Sequence, residues 1–302
     1  MIAPSWEDLP QDVHDAVERR FGMVRKAEGV PDSGPGVAVR LHTHDGTVFF
    51  KAIRTTRKPG AGEHLRARWA GENLPTDVPT PAMLWAATRA GWHAMAFEDL
   101  ADDSRPADLS PGSADLPAVL DALALLHVLL TPCPPGAVPV ERNILRLQAK
   151  WRQLYAKPPQ MVPRRDLYMA AMASFTPTLL RGSTLVHGRL RQEKLRVCDG
   201  RVRVLDWSLA ARGAPWVDAA LFAPRLVQAG HTPAETDALL STVVIGWRNA
   251  PAAAVAGLAA LWTSFRLHNA LHGPEEERDS RARAVEAGHA WLEYRMDPTR
   301  SP

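Results

Sequence analysis

The side chains best suited to act on a ligand crowd into LVHGRLRQEKLRVCDGRVRVLDW, residues 185–207. This stretch holds His187, Arg189, Arg191, Lys194 and Asp206. No matched Ser or Cys accompanies His187, so a nucleophile–base pair is not indicated. Guanidinium and ammonium groups donate hydrogen bonds and accept none. Arg189, Arg191 and Lys194 can therefore hold an anion but cannot take a proton from one. Lys51, within VFFKAI (48–53), is another cation of this kind. Two arrangements stay open. Either Asp206 pairs with Arg189 or Lys194 and stabilises a loop without metal, or Lys51, Arg189, Arg191 and Lys194 converge on an anionic ligand. His268 and His272 are one helical turn apart, but lack the carboxylate pattern of a metal site. Cys133 and Cys198 build neither a disulfide framework nor a Cys-rich zinc site, and suit a reducing cytoplasm.

These residues need elements to carry them. Asp12–Phe21 reads as a short amphipathic helix. Val- and Phe-rich runs at 23–30, 37–43 and 47–53 follow, separated by a Gly-rich turn and by His44-Asp45-Gly46. Strand, turn, strand, hairpin, strand is the economical reading. Residues 60–73 read as a helix with Leu65, Trp69 and Leu74 on one side, and 83–87 and 92–97 as two further strands. The first lobe is thus a five-stranded antiparallel sheet, and Asp99–Pro106 is a polar break. Beyond it, apolar residues recur at helical spacing in seven segments: 116–130, 141–155, 165–174, 216–228, 233–247, 252–271 and 278–294. Three β-like runs at 184–186, 195–197 and 202–205 surround the loop at 187–194. The expected class is α+β, with a β lobe over 1–98 and a mainly helical lobe over 99–302.

Composition narrows the function classes. The chain has 302 residues, 46% hydrophobic and 23% charged, which is ordinary for a folded protein and argues against disorder. A net charge of +3, from thirty arginines and six lysines against 33 acids, is too small to suggest a nucleic-acid partner. The N-terminal residues carry acids and no apolar stretch of signal-peptide length. The most apolar run, ALALLHVLL at 122–130, is nine residues where a span needs about 20. A soluble cytoplasmic protein with no membrane partner is expected.

Residues 185–222 resemble the phosphate-transfer loop of aminoglycoside phosphotransferases and choline-kinase-like enzymes, relatives of protein kinases. That family's pattern is His-Gly-Asp-Leu, three residues, Asn, a hairpin, then Asp followed by Trp or Phe. His187, Gly188 and Leu190 match, as do the turn Asp199-Gly200, the pair Asp206-Trp207, and Gly213, Trp216 and Asp218. The resemblance implies a two-lobed protein-kinase-like fold with ATP as cofactor. It also implies that Lys51 holds the α- and β-phosphates, that Glu63 (or, less directly, Glu72) pairs with Lys51, and that Asp206 binds metal. The segment MAFEDL, 95–100, with Glu98, stands where adenine would be held, and Gly34 and Gly36 where a turn would cover the phosphates. Asp218 would brace the loop, with His187 hydrogen-bonded inside it.

Two positions depart from that pattern. Arg189 stands where the resemblance implies a catalytic Asp, and Lys194 where it implies a metal-binding Asn. The Asp would accept the substrate hydroxyl's proton, and a guanidinium cannot. The Asn would give Mg²⁺ an oxygen, and an ammonium has none. The exchange adds three positive charges to the loop. Neighbouring charges at about 4 Å interact by about 4 kcal/mol at a surface-like dielectric, so ordinary Mg²⁺ binding is disfavoured. Losing a general base costs roughly 10²–10⁴-fold. The expectation is a pseudokinase-like protein that binds an anionic ligand, a peptide or a protein. Its alternatives are an active ATP-dependent phosphotransferase with a rebuilt site, and a biosynthetic enzyme using the cleft for other chemistry. Arg142, Arg146, Lys150, Trp151, Arg152, Arg164 and Arg165 make the neighbouring helices basic and aromatic, a poor fit to a polycationic aminoglycoside.

Overall fold

The computed structural model describes residues 4–30, 36–58, 60–100, 104–156, 162–297 and 299. Gly34 lies outside them. The chain divides into two compact units. The first comprises residues 1–105 and 203–209, and the second 106–202 and 210–302.

In the first unit, α1 (Gln11–Phe21) precedes β1 (Val24–Gly29), β2 (Val37–Thr43) and β3 (Gly46–Arg54). Helix α2 (Ala61–Asn73) and the hairpin of β4 (Met83–Arg89) and β5 (Trp92–Glu98) follow. The five strands form one antiparallel sheet in the order β1-β2-β3-β5-β4. Side chains alternate across a strand, so one face takes Val37, Val39 and Leu41 with Val48, Phe50 and Ala52. Trp92, Ala94 and Ala96 extend that face, and Trp6, Leu9, Val13, Val17 and Phe21 close over it. Lys51, one residue after Phe50, is therefore on the opposite face, and its register partners are Ala38 and Met95. Gly36, expected in a phosphate-covering turn, has a local packing role. A Cβ there would lie 2.3 Å from the Ala52 carbonyl oxygen.

Helix α2 buries small residues rather than its large apolar ones. Leu65 is 46% exposed, and the buried residues are Ala61 and Ala70. The helix comes close to β4 through small side chains: a Cβ on Gly71 would meet the Met83 Cβ at 2.8 Å. Close approach outweighs an apolar stripe here.

The second unit contains the helices α3 (Leu116–Leu129), α4 (Glu141–Tyr155), α5 (Arg165–Ala173), α6 (Val217–Gln228), α7 (Pro233–Val243), α8 (Ala252–His272) and α9 (Arg278–Met296). The two-residue strand β6 (Arg105–Pro106) precedes them at the division. β7 (Thr184–Val186) pairs antiparallel with β10 (Ala211–Gly213), and β8 (Leu195–Cys198) turns into β9 (Arg201–Val204). Asp199 and Gly200 both have positive φ, 49° and 69°, as the tightest hairpin turn requires. Helix α7 begins at a Thr232–Glu235 capping box and stops at Val243, short of the expected Trp247. Gly246 at φ 79° starts a separate short turn over Trp247–Asn249. The centre of α8, from Ala254 to Ser264, is buried throughout and packs on α4, α5, α6 and α9. Cys133 and Cys198 are free thiols. Among the described residues, no helix is long and apolar enough to cross a membrane.

Candidate functional site

Lys51 and Asp206 meet within the first unit. β3 sets Lys51 on the sheet face away from α1, with its ammonium 5.4 Å from the Phe49 ring centre. Asp206 arrives on the returning segment Arg203–Leu209, which several contacts tie down. The Val204 amide donates to the Pro79 carbonyl at 2.6 Å, and the Trp207 indole to the Thr80 hydroxyl at 3.1 Å. Arg203 donates to the Thr80 carbonyl at 3.0 Å and to the Glu98 carboxylate at 2.6 Å. Lys51 Nζ then lies 3.9 Å from Asp206 Oδ1, with both side chains largely buried. Asp206 has φ 72°, a left-handed conformation that Asp tolerates better than most residues and that collects at functional positions.

Two other expected residues belong to this unit. Glu63 is half-buried in the first turn of α2. Glu98 ends β5 opposite Val48, and its side chain accepts from Arg203 and from the Ala82 amide at 3.2 Å. Glu98 is thus an anchor for the returning segment. His64, which the sequence did not single out, sits near Lys51 and Asp206. Burial, and then the Lys51 charge, pushes its pKa down to about 4. It is neutral at pH 7, and adds no charge to the pair.

The loop with Arg189 and Lys194 belongs to the second unit. β7 runs into His187, which is fully buried. The buried Asp218, in the first turn of α6, accepts from the His187 amide at 2.6 Å and the Gly188 amide at 2.7 Å. The expected brace is present. Gly188 takes φ 74°, and the Arg189 amide donates to His187 Nδ1 at 3.2 Å. That bond leaves the imidazole proton on Nε2. Burial pushes the Asp218 pKa up to about 6, while the two amides pull it down. A short turn over Gln192–Lys194 follows, with Arg191 Nε 3.5 Å from Glu193. Arg189, Arg191 and Lys194 are all half-buried.

The Asp206 carboxylate faces an ammonium, and Lys194 carries no oxygen donor. Among the described residues, no group of three His, Cys, Asp or Glu could hold a metal ion. His268 and His272 stack edge to face at 4.6 Å instead. Taken each within its own unit, Asp206 in the first and Lys194 in the second do not make a conventional Mg²⁺ site.

The frame matches known proteins. Over 95% of this chain and 99% of the other, it superposes on a thermostable mutant of aminoglycoside phosphotransferase APH(4)-Ia solved with ADP and hygromycin B, at TM-score 0.61 and 13% identity. Spectinomycin phosphotransferase APH(9)-Ia, solved with ADP and spectinomycin, matches at TM-score 0.58 and 11% identity, covering 96% of each chain. A choline/ethanolamine kinase family protein from Mesorhizobium loti matches at TM-score 0.54 and 14% identity, over 94% of this chain and 95% of that one. At such identities the likeness is one of fold. No curated protein matches the sequence. The profile of the phosphotransferase enzyme family, however, matches residues 37–258, which include Lys51, the Asp218-braced loop and Asp206, and the chain belongs to that family.

Proposed function

We propose that this chain is a pseudokinase-like member of the phosphotransferase family. It binds an anionic ligand, with ATP as the first candidate, and transfers phosphoryl groups poorly or not at all. The observation carrying this reading is Arg189, presented by a loop whose brace is intact. An active loop needs a proton acceptor there, and a guanidinium is none. Lys51 would hold phosphate oxygens of ATP, which would supply a transferable phosphoryl group. Since the residues present do not fit Mg²⁺, no catalytic step is assigned to a metal.

A thermal-shift titration with ATP, in Mg²⁺ and in EDTA, tests binding, because a ligand stabilises the folded state by mass action. Stabilisation in EDTA, lost in Lys51→Met, is expected. Phosphoryl transfer should stay far below the 1 s⁻¹ or more of ordinary kinases. Transfer from ATP at about 1 s⁻¹ in Mg²⁺ would refute the proposal. The intact Asp218 brace favours one rival, an active phosphotransferase with a rebuilt site, and that same rate would establish it.

A further inference from the structure

One indole in the second unit carries two positive charges. The guanidinium carbon of Arg266, on α8, lies 4.9 Å from the Trp262 ring centre, and that of Arg225, on α6, lies 5.0 Å from the same ring. Trp262 and Arg266 are one turn apart on α8, and Arg225 reaches the ring from α6, which packs beside it. Trp262 is itself buried, so the ring is a fixed support. The negative faces of an indole attract cations, which accounts for the seat of each guanidinium. They do not account for two on one ring, because the two charges repel each other.

Stacking also leaves hydrogen bonding unmet. A guanidinium has five N–H donors in its plane and accepts none. The Nε atoms of Arg225 and Arg266 are buried without a hydrogen-bond partner among the described residues. Among those residues, no carboxylate forms an ion pair with either side chain. Glu193 acts on Arg266 only from farther off, and lies 3.5 Å from Arg191. Burial, then the charge of Arg191, lowers the Arg266 pKa to about 10, as expected where countercharge is short. Both side chains are half-buried, and their Nη ends stay open to a ligand. An oxyanion meets each of these conditions. It places negative charge beside two cations, and it offers oxygens in pairs to donors that come in pairs. A cation would be repelled, and a neutral ligand would leave the two charges uncompensated.

We propose that Arg225 and Arg266, held on Trp262, form a binding site for an oxyanion, the carboxylate or phosphate of a ligand. This goes beyond the ATP reading, which rests on Lys51 in the first unit.

Inorganic phosphate and succinate are the probes, one for each kind of oxyanion, titrated by calorimetry against chloride of equal ionic strength. The wild type should bind at least one of them beyond chloride, and the tighter of the two names the class. Arg266→Lys and Arg225→Lys keep the charge but lose the planar fork, and each should weaken that binding at least tenfold. Lys51→Met should leave it unchanged. The intact chain gives a second measurement that no folding defect can disturb. Modification of arginines by phenylglyoxal, mapped by mass spectrometry, should slow at both Arg225 and Arg266 when the anion is present. Binding no better than chloride would overturn the proposal, as would full affinity in both Lys variants. Protection of neither arginine, or of one alone, would overturn the shared site. Binding lost in Lys51→Met but kept in Arg266→Lys would place the anion in the first unit and also overturn it. Failure of ATP to bind, or transfer from ATP, would bear on the proposed function alone and leave the oxyanion result standing.

Discussion

Asp218 shows what a single buried carboxylate can do for a loop. Its two oxygens take the amides of His187 and Gly188, and those bonds shape the turn that presents Arg189. In Asp218→Asn one oxygen becomes an NH₂ facing an N–H. The expected cost is about 1–3 kcal/mol, the penalty of a buried donor left unsatisfied, read as a lowered midpoint in urea. His64 gives a pH signature. Its folded pKa, about 4, is below the ordinary imidazole value of 6.5, so the unfolded chain binds the proton more tightly. Its contribution is complete above pH 6.5 and is lost as pH falls towards 4. Burial also lowers His127 and His289, which add to this trend. Asp218 titrates the other way, gaining stability as pH falls through about 6. His64→Gln should therefore narrow the gap in Tm between pH 7 and pH 5, and an unchanged gap would mean that His64 is not desolvated. The Asp218 brace on His187 was legible in the sequence because both belong to a spaced motif, whereas the approach of Lys51 to Asp206 was not, since the sequence offered Glu63 to Lys51 and Arg189 or Lys194 to Asp206. His64 and Arg266 were not, because burial and distant neighbours make them distinctive.

At the scale of elements, α8 and α9 pack closely at Gly288. A Cβ on Gly288 would meet Thr263 Oγ1 at 2.2 Å, and that hydroxyl is already committed to the Ala259 carbonyl. Gly288→Ala should destabilise the fold. Overpacking costs about 1–3 kcal/mol and outweighs the gain of about 1 kcal/mol in helix propensity. Gly62 on α2 has nothing within 4 Å of the same added atom, so Gly62→Ala should leave stability unchanged or raise it by up to about 1 kcal/mol. Chemical denaturation of both variants separates contact from propensity, and equal losses would refute the tight crossing. Strands and helices were readable where the pattern is periodic, as in the alternation Val37, Val39, Leu41 and in the Asp199-Gly200 turn. The buried side of α2 was not, because Ala61, Ala70 and Gly71 mark a close approach that a search for large apolar residues passes over.

At the scale of the molecule, the net charge of +3 conceals a local excess. Thirty arginines look like compositional bias, yet the charges of Arg191, Arg281 and Arg189 all help to hold the Arg266 pKa down. The sequence placed a change of lobe at 99–106, and the structure divides the chain between residues 105 and 106. The return of Arg203–Leu209 to the first unit was not readable, because its partners Thr80 and Glu98 stand 123 and 105 residues upstream. A fragment of residues 1–105 should accordingly melt earlier than the first unit of the intact chain, since Thr80, Glu98 and Lys51 lose Trp207, Arg203 and Asp206. Equal amide-exchange protection of the sheet in fragment and full chain would contradict this. Order in time also follows from that detour. During synthesis the sheet emerges first, yet Thr80 waits for residue 207 before its hydrogen bond from the indole can form. A ribosome stalled anywhere between the two segments would hold out a half-finished lobe in which Lys51 has yet to meet Asp206.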